Sequence, residues 1–406
     1  MRKCRWLQAA AVIVFACFLY WESVQNDMIA RRFEEEIDAC LKDGCLPIAV
    51  LSQETGAYAY VGQPALWAAQ YAVDQVNREG GVNGCKVRLV TADTGSEKSR
   101  ALSLYQGAGR KCCIVLGPTD APETAWISQN ADADDHTVHI AAYSYRESRE
   151  KRAPYGISYM SDSEDGELEA VRVFAKENPD IRDVVLFSMS SDEAKNSSAW
   201  QFQELQGELG LHFLDVIDVS PDAQESDYRQ YAIRALNQKA DGYVFLLGSR
   251  DYAEILKELR SHGIEEGRRI TASFSAFNQE TMEIAQEALD GTYIWNKIDP
   301  YYEGENWQKL REAYGAAGYE ESQISQPVAD YYDAVMAICQ CYEVFGMTSE
   351  NYVDFRGEEQ IAEWFYDSGE MEGIQGAYCW QEGQKMSEYQ FFVFDGTVPV
   401  NLRYQN

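Results

Sequence analysis

Basic residues are scarce in this chain. Its 406 residues hold 35 lysines and arginines against 66 aspartates and glutamates, for a formal net charge of −31. Binding to a phosphate backbone rests on clustered Lys and Arg, so a nucleic-acid partner is not expected. The acidity reads as the soluble surface of an exported protein. Histidine is rarer still, at four. His136 and His139 lie beside Asp134 and Asp135, a cluster that reads as solvated surface rather than a metal site. Ten cysteines are too few for a disulfide framework at this length, and none form a paired C-x-x-C. Cys112, Cys113, Cys339 and Cys341 sit in apolar runs and read as small buried hydrophobes. Cys40 and Cys45 flank Leu41-Lys42-Asp43-Gly44, a spacing that allows a small closed loop.

Catalytic signatures are missing too. There is no G-x-S-x-G, no Walker loop, no H-E-x-x-H and no dinucleotide fingerprint. The run Gly80-Gly81-Val82-Asn83-Gly84 follows a helical pattern rather than preceding one, so it cannot cradle a phosphate on a helix N-terminus. Acidic pairs are too numerous to mark acid–base chemistry. The expectation is a protein that is not an enzyme, with no cofactor and no metal.

A long apolar run occurs at the N-terminus. Arg2, Lys3 and Arg5 precede Trp6–Trp21, which is apolar apart from Gln8. This is the pattern of a targeting segment, slightly short of the roughly 20 residues that span a bilayer. Val14-Phe15-Ala16-Cys17 is similar to a bacterial lipobox, so an uncleaved anchor and a lipid-modified Cys17 both stay open, with clean cleavage and release third because no obvious A-x-A site follows the apolar run. All three place the bulk of the chain outside the cytoplasm, and the first two attach it to the cell membrane. Residues 1–21 are then the signal or anchor, and the charged, helix-prone residues 22–46 read as a stalk.

From Pro47 the pattern changes to alternating strands and helices. Ile48, Val50 and Leu51 form a short apolar run, as a buried parallel strand does. Leu66, Ala69, Ala72, Val73 and Val76 recur at helical spacing. Asn77-Arg78-Glu79-Gly80-Gly81 stops the helix, and Val87, Leu89 and Val90 begin the next strand. Strands are predicted at Ile48–Leu51, Val87–Thr91, Cys113–Leu116, Val138–Ala141, Val184–Phe187, Phe213–Val219, Tyr243–Leu247, Ile270–Ser273 and Thr292–Trp295. Helices separate most of them, which demands mainly parallel sheets covered on both faces. A ligand belongs at the carboxyl ends of such strands.

The runs T-G-A-Y-A-Y-V-G and N-R-E-G-G-V-N-G resemble the opening of ABC-transporter solute-binding proteins of the branched-chain amino-acid-binding type. Ala92-Asp93, Val115-Leu116-Gly117-Pro118, Ala240-Asp241-Gly242-Tyr243-Val244 and Leu256–Arg260 with Gly263 extend the resemblance along the chain. It implies an α/β protein of two Rossmann-like lobes joined by a three-crossing hinge, the type I periplasmic-binding-protein fold. The expected lobes are residues 47–162 with 291–373, and 163–290 with 374–406. The hinge is expected near Ser161, Asp290 and Gly373. The helical patterns Trp307–Tyr314 and Val328–Phe345 are expected to return to the first lobe, and the Gly376–Val400 hairpin to join the second.

The implied function is capture of a small polar ligand, amino-acid-like or other, for an ABC importer. A membrane-anchored sensor that signals rather than transports is the alternative. The partners are a small molecule, an ABC permease, and the membrane through the anchor or lipid. Four loops supply candidate ligand contacts. Tyr58 and Tyr60 offer aromatic walls. Thr119, Asp120, Glu123 and Thr124 offer hydroxyls, carboxyls and helix-end amides that suit an anionic group. Tyr143, Ser144 and Tyr145 follow the fourth strand; Ser249 and Arg250 follow a strand of the second lobe, and Phe274 follows another. By resemblance the 120–124 and 144–145 loops hold an amino-acid carboxylate. Asp120 and Glu123 depart from that pattern, since they would repel one. Phe274-Ser275-Ala276 lacks the acid that holds the ammonium group in the resembled proteins.

Overall fold

The computed structural model describes residues 2–131, 137–141, 155–159, 163–189, 202–204, 206–264, 269–273, 276–277, 279–321, 324–355, 357–366, 369–381, 383–386 and 388–404. Two compact units emerge. The first comprises Met1–Ser161 and Ser325–Met386; the second comprises Asp162–Ile324 and Ser387–Asn406.

The first unit opens with helix α1 (Arg2–Lys42) and strand β1 (Cys45–Ser52). Helix α2 (Ala59–Arg78), β2 (Lys86–Asp93), α3 (Lys98–Gly109), β3 (Ile114–Leu116) and α4 (Ala121–Asn130) follow. Then come β4 (Val138–Ala141) and β5 (Gly156–Ser158). The five strands pair in parallel in the order β5-β4-β3-β1-β2. β1 is buried from Leu46 to Ser52 because helices cover both faces. Gly81 allows the turn from α2 into β2: its φ is +77, and a Cβ would collide with the carbonyl of Cys85.

The second unit repeats the plan with α5 (Ser163–Glu177), β6 (Asp183–Ser188), β7 (His212–Asp218), α6 (Glu225–Asn237) and β8 (Gly242–Leu246). It continues with α7 (Ser249–Ser261), β9 (Ile270–Ala272), α8 (Gln279–Ala285), β10 (Tyr293–Asn296) and α9 (Glu305–Ala316). Alternate residues serve two cores. Val185, Phe187, Tyr243 and Phe245 fill one, while Val184, Leu186, Val244 and Leu246 fill the other. That period of two, apolar on both faces, is what turns continuous apolar runs into buried strands.

After Ser325 the chain is back in the first unit. Helix α10 (Gln326–Val344) lies along α2, with the Tyr332 hydroxyl donating to Gln75 Oε1 at 2.9 Å. Helix α11 (Glu358–Tyr366) precedes β11 (Gly369–Gly373), β12 (Gly376–Gln381) and β13 (Gln384–Met386). These strands extend the first sheet at β5. The last strands, β14 (Gln390–Asp395) and β15 (Val398–Asn401), close the second sheet against β10.

Five expectations are corrected. First, residues 22–46 are not a free stalk. Asn26, Ala30, Phe33, Ile37 and Cys40 of α1 are buried, and Cys45–Leu46 already belong to β1. An a/d-like spacing within a charged segment gives the helix a face to dock. Second, the lobe boundaries near Asp290 and Gly373 move. Tyr293–Asn296 pairs with β9 and β14, and α9 stays in the second unit, so the crossing falls at 324–325. Third, Gly373 lies in the β11–β12 hairpin of the first unit, and the final crossing falls at 386–387. Fourth, the Gly376–Val400 tail is split between the sheets rather than joining the second. Fifth, His139 is not solvated surface. It is buried in β4, its Nε2 2.7 Å from the Gly117 carbonyl and its ring 4.9 Å from that of Tyr105. Its neighbours Asp134, Asp135 and His136 lie outside the described residues.

Cys112, Cys113, Cys339 and Cys341 are buried, and Cys40 and Cys45 are free thiols. Among the described residues no helix is long and apolar enough to cross a membrane; the side chains of residues 2–20 and 22 lie outside that description.

Candidate functional site

Parallel pairing brings the carboxyl ends of β1, β2 and β3 together. Ser52 pairs with Asp93, and Val50 with Leu116. The loops after these strands therefore start side by side in the first unit. Gly117 turns the β3 loop with φ +89, because a Cβ there would strike the Leu51 carbonyl and the Tyr331 hydroxyl.

Gln53, fully buried directly after β1, is the hub of this site. Its Oε1 accepts from the Thr119 amide at 3.0 Å and from the Thr119 hydroxyl. Its Nε2 donates to Asp120 Oδ2 and, at 2.6 Å, to Glu123 Oε2. Thr94 Oγ1 donates to the same Glu123 oxygen at 3.1 Å. Asp120 is the N-cap of α4: its Oδ1 accepts from the Glu123 amide at 2.9 Å. This satisfies one of the amides a helix leaves open at its start. Thr124 Oγ1 turns back to donate to the Asp120 carbonyl at 2.7 Å.

Two carboxyls this close cannot both carry charge cheaply. Burial, reinforced by a hydrogen bond to Asp120 and by its negative charge, pushes the Glu123 carboxyl up to about 9. Glu123 is therefore protonated at neutral pH. Glu123 Oε2 takes both hydrogen bonds, from Gln53 and Thr94, while Oε1 is buried without a hydrogen-bond partner.

Asp93 behaves oppositely. Burial is the largest single influence and pushes its carboxyl up, but hydrogen bonds from Thr55, Gly95 and Glu54 together carry it below the usual range. Its oxygens accept from Thr55 Oγ1 at 2.6 Å and from the amides of Glu54, Thr55 and Gly95 at 2.9, 3.2 and 3.0 Å. This carboxylate clamps the β1 loop onto the β2 loop. Tyr58 begins α2, its amide donating to Ser96 Oγ at 3.1 Å. Burial raises its phenol pKa, as do the charges of Asp120, Tyr60 and Glu123.

The predicted contacts thus sort by position. Tyr58, Thr119, Asp120, Glu123 and Thr124 gather in one place. Tyr60, two residues beyond Tyr58, is 76% exposed. Ser249 and Arg250 open α7 in the second unit, where Ser249 Oγ donates to Glu280 Oε2 at 2.6 Å and Arg250 is exposed. Tyr143, Ser144, Tyr145 and Phe274 lie outside the described residues. Sequence reasoning passed over Gln53, Thr94 and Asp93 as individual residues. Gln53 and Thr94 do carry a signal: each is the first residue beyond a parallel strand of the first sheet.

A profile of the periplasmic binding protein family matches residues 46–353. No curated protein matches the chain. Solved structures do. A leucine-binding protein from Thermotoga maritima is 22% identical with a TM-score of 0.66, covering 88% of this chain and 97% of that one. The isoleucine complex of a branched-chain amino-acid transporter binding protein from Streptococcus pneumoniae is 19% identical with a TM-score of 0.67, covering 88% and 99%. An ABC-transporter substrate-binding protein from Sphaerobacter thermophilus is 17% identical with a TM-score of 0.72, covering 88% and 96%. At these identities the structures establish the fold. With three-quarters of its length matched by the family profile, the chain belongs to the periplasmic binding protein family and carries its two-lobed type I fold.

Proposed function

We propose that this protein is an extracytoplasmic, membrane-attached solute-binding protein. It captures a small polar solute at its strand-end loops and hands it to an ABC permease. The carrying observation is the convergence of the β1, β2 and β3 loops on buried polar groups, in a chain whose family profile spans residues 46–353. Tyr60, Tyr143, Ser144, Tyr145, Ser249, Arg250 and Phe274 remain the further candidate contacts of this proposal. No chemical step is asked of them, and the protein acts without catalysis or cofactor.

Signalling without transport is the second reading. The docking of α1 on the first unit favours it, because a helix fixed to the binding unit can transmit its state. A thermal-shift screen of small polar solutes, followed by calorimetry, tests the binding function. The protein used must keep α1, since removing residues 22–46 would strip Phe33 and Ile37 from the fold. Saturable binding of a solute is expected, and absence of any binding across amino acids, amines, amides and sugars would refute the reading. Reconstitution with a permease then separates transport from signalling.

A further inference from the structure

Helix α1 presents two faces. On one, Asn26, Ala30, Phe33, Ile37 and Cys40 recur at intervals of three and four and are buried against α3, β1 and β2. Ala30 lies under Gly107 of α3, where an added Cβ would come within 3.2 Å of the alanine Cβ. Arg110 pairs with Glu34 at 2.6 Å and Lys111 with Asp38 at 3.0 Å. Asn26 Nδ2 donates to Ser99 Oγ at 3.3 Å. This half of the helix is part of the first unit.

The opposite face carries Trp21, Val24 and Met28, which are 61%, 36% and 59% exposed. At about 100° per residue these three fall within roughly 60° of one another, on the far side from Phe33 and Ile37. They continue, on the same helix, the apolar Trp6–Trp21 run of the sequence. The stripe ends at Arg31 and Arg32, both exposed. The buried Asn26 follows Trp21 by five positions, about 7.5 Å of helix.

We propose that α1 enters a lipid bilayer as one unbroken helix, with Trp21, Val24 and Met28 in the interfacial layer, and so seats the first unit directly on the membrane. The inference rests on the membrane attachment proposed above. A bilayer fits this face better than a second copy of the chain. Tryptophan favours the membrane–water boundary, where its ring is half apolar and its N–H stays wet. Arg2, Lys3 and Arg5 lie at the far end of the run, as a membrane-spanning orientation requires. Three side chains also fall well short of the roughly 1,200 Å² that a stable dimer buries. The tether then has no flexible segment. The binding unit is held at a fixed height, within reach only of partners in the same membrane.

The test places a photo-cross-linking amino acid at Trp21, Val24, Met28 or Arg32 in the full chain, reconstituted in phosphatidylethanolamine–phosphatidylglycerol vesicles. All four positions are exposed, so the fold tolerates the change. Lipid adducts are expected at Trp21 and Val24, fewer at Met28, and only background at Arg32. Vesicle-bound protein with background adducts at Trp21 and Val24 would overturn the seated helix while sparing membrane attachment. Protein–protein adducts at Val24 would overturn it in favour of a second copy. Failure of the chain to float with vesicles would remove the attachment itself.

Discussion

Lys385 is a buried charge at the heart of the first unit. It lies on β13, with its ammonium 3.0 Å from Asp330 Oδ1 and 2.6 Å from Asp333 Oδ2 on α10. All three side chains are nearly closed to solvent, at 7%, 5% and 6% exposure. The Tyr378 ring covers the ammonium at 4.7 Å, and Asp333 Oδ1 also accepts from the Ile374 amide at 2.7 Å. Burial alone would press the lysine toward neutrality, but Asp333 and Asp330 outweigh it and hold the pKa above the ordinary lysine value. The cluster joins α10, which follows one crossing between units, to β13, which precedes another.

Replacing Lys385 by Met keeps the volume and removes the charge, leaving two buried carboxylates facing each other. Breaking a buried pair in this way costs about 3–5 kcal/mol. Protonation sets a ceiling: neutralising one aspartate at pH 7 costs about 4 kcal/mol, roughly three pKa units at 1.36 kcal/mol each. At pH 5 the same step costs only about 1.5 kcal/mol. The sign follows from linkage. In the variant an aspartate has its folded pKa raised above its unfolded value. The resulting deficit is small at low pH and grows as pH rises through the folded pKa. Urea unfolding of wild type and Lys385→Met, followed by tryptophan fluorescence at pH 5 and pH 7, measures both deficits. A loss below about 1 kcal/mol at pH 7, or one that does not shrink at pH 5, would refute the reasoning.

Two further outcomes are expected. Glu123, raised from 4.5 to about 9, withholds stability increasingly as pH rises above 4.5. Glu123→Gln, which keeps the volume and carries no charge at any pH, should be tolerated at pH 7 and should flatten the dependence of melting temperature on pH between 5 and 9; an unchanged slope counts against the raised Glu123 carboxyl. Phe33→Ala should cost about 3–5 kcal/mol, as for other buried aromatics, and should expose the α1 amides to hydrogen exchange. A cost near zero would restore α1 to a free stalk.

The strands were legible because parallel strands buried on both faces are written as short apolar runs, and β1, β6 and β8 are of that kind. β5 was not, since Gly156–Ser158 is three residues long and carries no pattern. The lobe boundaries were misplaced for a related reason. Tyr293–Asn296 reads as a strand, but the sequence does not say which sheet it extends, and pairing with β9 decides it. Within α1, charges at Glu34, Glu35, Glu36 and Asp38 hid a buried face made of only five residues. At the site, Asp120 and Glu123 stood out as acids, whereas Gln53, which binds both, looked like an ordinary loop residue.

The carboxyl pair also bears on what the proposed site would accept. The fold sets a helix N-terminus at the end of β3, and any such terminus draws an anion through its open amides. What the fold does not set is the residue at the cap. Here Asp120 supplies the anion from within the chain, and Glu123 and Gln53 seal it. A solute carboxylate arriving about 4 Å away would meet that charge at roughly 4 kcal/mol with an effective dielectric constant near 20. That is close to three decades in affinity, enough to cancel the hydrogen bonds such a group could gain. The same negative charge attracts an ammonium or amide N–H. Membership of the family therefore fixes the scaffold, while Asp120, Glu123 and Gln53 weigh against simple transfer of an amino-acid ligand to this chain.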